Sequence, residues 1–325
     1  MIEYSSKNIR TWSRLGPSGA IGVAAMDLGE KEDNVIFLTA DLCFFSGLER
    51  FKTAYPEKLY NLGIAEQNMI GVAAGFAKEG FVPFVTTYAS FATTRCLDQV
   101  RVNMSYMKLP LKLIGLTSGF GAGVLGATHM SIEDIAIMRA LPNMTVLCPA
   151  DCMEVIKCIE AAAKTLDPTY IRLDGPMGSP IVYKEDYAFE IGKSIKLMQG
   201  TEVCLIAMGA MVSESLLAAK ELNEECGISC SVINMHTLKP LDEEAILNAA
   251  DTHALLVTIE EHNVIGGLGS SVIQCLNHAN KRTPVEIIGI QDYFAKAGDY
   301  QYQLEQCGLT KNQIKERVYR RSKGI

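Results

Sequence analysis

Short β-rich runs alternate with longer segments of helical period along most of the chain, and this alternation restricts the fold more than any other feature. VIFLTA (35–40), FVPFVTTY (81–88), LKLIGL (111–116), MTVLCP (144–149) and TYIRL (169–173) read as strands. The intervening periodicity predicts helices opening at Glu66, over 91–106, near Ser131 and over 153–164. Parallel neighbours need helical crossovers, so the rhythm specifies an α/β fold with an open sheet. Residues 174–200 carry Pro, Gly and mixed charge without a sustained period, and read as a linker with one short hairpin. A second alternation follows: EVCLIAMG, SCSVINM, ALLVTIE and VEIIGI, separated by helices over 213–226, from Asp242 and from Gly267. Thr310, with Gln313 three residues later, caps a last helix. The expected organisation is therefore one α/β domain over 1–175, a linker over 176–200 and a second open α/β domain over 201–325.

With 325 residues, 48% of them hydrophobic, the chain can bury two cores. A net charge of −7 and the lack of any Lys/Arg stripe argue against a nucleic-acid partner. The N-terminal MIEYSSKNIRTWSRLG has no apolar leader, and no apolar run approaches the roughly 20 residues that span a bilayer, so the expectation is a cytosolic protein with no membrane partner. The ten cysteines lie mostly in apolar segments and fit reduced thiols. Cys148/Cys152 and Cys226/Cys230 lack a second Cys/His pair at zinc-site distance, so no metal site is expected of them.

Three features carry chemistry on their own terms. Glu66 opens a helix whose next turns are small and apolar, which puts a carboxylate at a buried helix N-terminus; a cap facing the helix dipole would look the same. Tyr88, Phe91 and Arg95 share one face of a helix start at spacings of three and four, as a core stripe also would. His129 precedes Ser131 and Asp134, an S-x-x-D helix start.

The stretches NLGIAEQNMIGVAAGFAKEGFVPFVTTYASFATTRCLDQVR (61–101) and GATHMSIEDIAIMRALPNMTVLCPAD (126–151) resemble the C-terminal section of transketolase; MHTLKPLDEE and TIEEHNVIGGLGSS extend the likeness. The resemblance implies a pyrimidine-binding domain followed by a transketolase C-terminal domain. It implies thiamin diphosphate as cofactor, with the Glu66 carboxyl facing N1′ of the aminopyrimidine. It implies Phe91, or else Tyr88, stacked on that ring; Arg95, and Asp41 after the first strand, join the cofactor-binding set. His129 takes a place over the reacting carbon, where it hydrogen-bonds substrate oxygen or moves protons. Gly266-Gly267-Leu268-Gly269 reads as a fold or subunit-contact element.

The departures from the family are as informative. Where transketolases write GEDG, this loop reads Gly123-Val124-Leu125-Gly126, so Leu125 replaces an Asp that reads a sugar hydroxyl. A His that meets acceptor phosphate falls on Thr117, and the Arg of the family's SRP turn falls on Gly175; Arg14 matches a remaining phosphate-binding Arg. The family's GDG, which holds the cofactor diphosphate through Mg²⁺ or Ca²⁺, has no counterpart, Gly298-Asp299-Tyr300 lacking the second glycine. The resemblance therefore implies a separate N-terminal, diphosphate-binding subunit that holds the metal, an α₂β₂ assembly, and an unusual sugar or sugar-phosphate acceptor. A deoxyxylulose-phosphate synthase-like or 2-oxo acid dehydrogenase-like β subunit, and a non-catalytic assembly module, are the competing readings.

Overall fold

The computed structural model describes residues 2–176 and 178–324. The first sheet is built from β1 (Val35–Thr39), β2 (Leu59–Asn61), β3 (Val82–Tyr88), β4 (Lys112–Leu116), β5 (Thr145–Leu147) and β6 (Thr169–Arg172). The second contains β7 (Ile195–Met198), β8 (Val203–Ala207), β9 (Cys230–Asn234), β11 (Leu255–Asn263) and β12 (Val285–Ile290). The remaining strand, β10 (Thr237–Lys239), comes from the C-terminal half yet joins the first sheet, whose order is β10-β5-β6-β4-β3-β1-β2. All pairs in that sheet are parallel except β10 with β5. The second sheet runs β12-β11-β8-β9-β7, parallel except for its β7 edge. Both sheets are open, and the central strands β1, β4, β8 and β9 are buried along their whole length, as parallel strands covered on both faces must be.

The sequence rhythm placed the helices Glu66–Lys78, Cys152–Ala163, Met211–Cys226, Glu243–Thr252 and Leu268–His278 within a few residues. Thr310 and Gln313 form the reciprocal capping box that opens Lys311–Lys323. Three features differ. Helix Ser6–Lys31, broken at Gly16 and packed on Cys152–Ala163, leaves no clear stripe in the sequence. Among the described residues, 176–200 hold no hairpin; β7 pairs with β9 instead, an edge strand recruited by the second sheet. The helix near Ser131 begins at Asp134 without a side-chain cap, because Ser131 bridges to Gly119 and the Asp134 carboxylate is taken by Tyr170 and Arg172.

The two units do not have separate interiors. One apolar cluster runs from Leu38, Val85 and Leu113 through Met138 and Met235 to Ile206 and Leu256, so it spans both sheets. Between them lies Arg172, 0% exposed. Its Nε donates to Asp134 (3.0 Å), Nη1 to Asp174 and Nη2 to the Glu261 carbonyl (2.7 Å), and Asp174 in turn accepts the Ala210 amide (2.9 Å). No helix is long and apolar enough to cross a membrane among the described residues.

Candidate active site

Glu66 is the first residue of its helix, follows a left-handed Gly63, and its side chain is 3% exposed. Arg95 Nη1 donates to its Oε1 at 2.7 Å, and the same guanidinium lies 3.8 Å from the centroid of the Phe91 ring. A planar, hydrogen-bond-donating cation is thus held between a carboxylate and an aromatic face. Tyr88 ends β3 rather than sharing a helix with Phe91, and Phe91–Arg95 is a stretch of wide, i→i+5 turns. Such a turn holds one residue more than an α turn.

His129 closes the group. Its ring lies 5.5 Å from Tyr88 and 5.2 Å from Phe91, both edge-on, and Tyr88 and Phe91 are 6.0 Å apart. Thr128 Oγ1 lies 3.0 Å from His129 Nδ1, which leaves Nε2 as the ring nitrogen for a ligand. Burial raises the Tyr88 hydroxyl above its ordinary range, so it stays a neutral donor.

Of the remaining residues singled out in the sequence, Thr117 and Gly175 line one narrow cleft with Pro17 and Ser18. Leu125 is exposed on the loop that carries His129. Arg14 is exposed two residues before the Gly16 break in the first helix. Asp41 is not drawn into the aromatic group: its amide and carboxylate both bond Asn61, which ties the ends of β1 and β2.

The family model for the transketolase pyrimidine binding domain matches residues 18–176, and that for the transketolase C-terminal domain matches residues 192–314. The 6-deoxy-6-sulfo-D-fructose transketolase subunit SqwH of a Clostridium species is 40% identical over 89% of this chain and 89% of its own length. The chain belongs to the transketolase family. Its relatives include an apulose-4-phosphate transketolase subunit of Phocaeicola vulgatus, 34% identical over 89% of this chain and 92% of its own. A solved split gene transketolase, described as an inactive β4 tetramer, superimposes with a TM-score of 0.84 at 37% identity, covering 94% of this chain and 97% of that one.

Glu66 and Phe91 hold the flat guanidinium of Arg95, one edge on a carboxylate and one face on an aromatic ring, and a flat aminopyrimidine would fit the same pair. Among the described residues no group of three or more His, Cys, Asp or Glu side chains can hold a metal ion. Asp299 is used as a helix cap, accepting the Tyr302 amide.

Sequence reasoning missed Phe45, whose exposed ring lies 6.5 Å from Tyr88, and the buried pair Glu260 and Glu261 on β11. The only available signal for the pair was two adjacent carboxylates ending an apolar run. Burial pushes Glu260 up to about 7 and Glu261 up to about 8, the latter also raised by Asp174. Each keeps a proton in the fold that the unfolded chain releases, so rising pH favours unfolding until the folded value is passed. Buried His236 and His262, pushed down to about 4, act in the opposite sense, but only below their ordinary 6.5. Lys112, pushed down to about 8, adds stability only as pH rises beyond that value. Between pH 6.5 and 8 the carboxyls set the sign, and the urea midpoint is expected to fall as pH rises. A flat or rising midpoint over that range contradicts this assignment.

Proposed function

We propose that this chain is the C-terminal subunit of a two-chain, thiamin diphosphate-dependent transketolase that moves a two-carbon ketol unit onto an acceptor other than an ordinary sugar phosphate. The observation that carries the reading is the run of contacts from Glu66 through Arg95 to Phe91, with Tyr88 and His129 packed edge-on beside that ring. Thiamin diphosphate, when bound, would supply the nucleophilic carbon for ketol transfer. Glu66 would hold a proton at N1′ of its pyrimidine, with Arg95 beside it in the cofactor-binding set. Phe91 stacks on the ring, a contact worth about 0.5–1.5 kcal/mol beyond the area buried, with Tyr88 as the neighbouring wall. His129 Nε2 hydrogen-bonds the substrate oxygen and moves its proton.

Two further parts belong to this reading. The diphosphate and its Mg²⁺ or Ca²⁺ are held by a separate N-terminal subunit in an α₂β₂ assembly, a view supported by the missing GDG and by the inactive β4 tetramer of the split relative. The functional division runs 1–175 for pyrimidine binding, 176–200 for the linker and 201–325 for the C-terminal unit. The cysteines of the described residues are all free and mostly buried, which supports a reducing, cytoplasmic setting.

At Thr117, Leu125 and Gly175 the chain offers neither a cation nor a carboxylate to the acceptor. Each lost charge-assisted contact to a phosphate forfeits roughly 1.5–3 kcal/mol. Relatives are named for 6-deoxy-6-sulfo-D-fructose and for apulose 4-phosphate, which supports a substrate outside the common set. The test is to co-purify the partner and supply thiamin diphosphate and Mg²⁺. With xylulose 5-phosphate as donor, sulfonated and neutral acceptors are expected to exceed ribose 5-phosphate in kcat/KM by roughly tenfold or more. The chain by itself is expected to be inactive. An ordinary kcat/KM with ribose 5-phosphate sinks the acceptor assignment, and pyruvate decarboxylation in place of ketol transfer sinks the reaction class.

A further inference from the structure

The loop over 117–130 is held from outside its own sheet. Phe120 and Met130, near its two ends, and Ile132 just beyond, are buried in the apolar cluster of the C-terminal unit, with Leu205, Ile259, Ile290, Ala295 and Leu304. Beside these feet, the Glu261 carboxylate accepts the Phe120 amide at 2.6 Å through Oε1 and the Tyr300 hydroxyl through Oε2. Gln303, fully buried, donates through Nε2 to the Gly123 carbonyl (3.2 Å) and to the Lys296 carbonyl (3.1 Å). The contacts are close enough that a Cβ at Gly119 would overlap the Glu261 carboxylate and one at Gly123 the Gln303 amide. The Asn263 amide donates to the Ile132 carbonyl (2.7 Å), and Gly119 and Ser131 bridge across the neck of the loop (2.8 Å). His129 therefore stands on a loop whose neck is tied to β11 and whose far turn is tied to helix Tyr300–Cys307.

We infer that Glu261, Tyr300 and Gln303 are positioning residues for ketol transfer: they hold the 117–130 loop so that His129 faces Phe91 and Tyr88, which gives the C-terminal unit a direct part in the chemistry of the first. The inference rests on the role proposed for His129. Two buried side chains, Glu261 and Gln303, bonded to backbone atoms of one loop fix its path more tightly than exposed contacts would, since their polar atoms have lost water as an alternative partner, and the Tyr300 hydroxyl holds Glu261 in place. A catalytic group displaced by about 1 Å costs up to about a hundredfold in rate, so the geometry has kinetic weight without any of the three touching substrate.

Two measurements on the intact protein separate positioning from bulk stability. Amide hydrogen exchange on the full chain reads the clamp without turnover. Tyr300→Phe, which keeps the ring, and Gln303→Met are expected to speed exchange over 117–130 by roughly fivefold while leaving helix Glu66–Lys78 unchanged. In the partner-loaded enzyme, Tyr300→Phe is expected to lower kcat by roughly tenfold, yet to lower it no further in a His129→Asn background, because the hydroxyl acts through His129. Glu261→Gln, whose side-chain oxygen accepts the Phe120 amide and whose NH₂ bonds the Tyr300 hydroxyl, is expected to retain activity that Glu261→Leu loses. Unchanged exchange over 117–130, a rise spread across the whole chain, or losses that multiply in the double variant would each overturn the inference. If the loaded wild-type enzyme transfers no ketol unit, the transketolase reading fails, and the exchange measurement still decides the clamp.

Discussion

Glu66→Gln is expected to lower ketol transfer by the partner-loaded enzyme by roughly 10²–10⁴-fold, the usual weight of a positioned proton-transfer group. Glutamine keeps the shape of the side chain and still places an oxygen at the helix N-terminus, so packing under the aromatic chamber is preserved. It cannot exchange a proton with a ring nitrogen. The loss should fall in kcat, with KM for the donor little changed, because the proposed role of Glu66 is toward the cofactor and not toward the donor. Stability should barely move: the pair broken is Glu66 with Arg95, whose side chain is 42% exposed, and ion pairs with an exposed member contribute at most about 1 kcal/mol. Steady-state kinetics beside a urea titration of the same variant checks both halves. Activity within tenfold of wild type would remove Glu66 from the mechanism.

The largest effect on stability belongs to Arg172. Arg172→Met is expected to destabilise the chain by about 3–5 kcal/mol, since it leaves Asp134 and Asp174 buried without their cation. Methionine fills much of the same volume, so the loss reports charge rather than a cavity. Tyr170 and the Ala210 amide still donate to the two carboxylates, which limits the damage but neutralises neither. Because Arg172 also donates to the Glu261 carbonyl, the variant should loosen the seam between the two units along with the fold. Urea unfolding of wild type and variant at pH 7 measures this. A difference below about 1 kcal/mol would show that the two carboxylates share a proton instead of relying on the guanidinium.

Local patterns were legible without the structure because they depend on neighbours in the chain. Alternating β-rich and helical runs marked the strands of both sheets apart from the short β2, β7 and β10, and Thr310 with Gln313 marked a cap, since a cap needs only four consecutive residues. Glu66 and His129 stood out because they lie in stretches that resemble transketolase. Tertiary bonds overrode a local signal at one point. Asp134 looked like a capping partner for Ser131 but is consumed by Tyr170 and Arg172, 36 and 38 residues away.

From the sequence alone followed the fold class, the two units, the carboxylate at a helix start and the likeness to a split transketolase that implies a partner subunit. Only the tertiary structure decided that β10 crosses into the first sheet, that Arg95 occupies the place between Glu66 and Phe91, and that Glu261, braced by Tyr300, and Gln303 reach the His129 loop. The Glu261 and Gln303 bonds to that loop join residues 141 and 180 positions apart. A periodic pattern records which face of an element is buried, not which distant side chain is buried against it; that choice is made when the two sheets close over one core and each polar group carried inside must find a partner there.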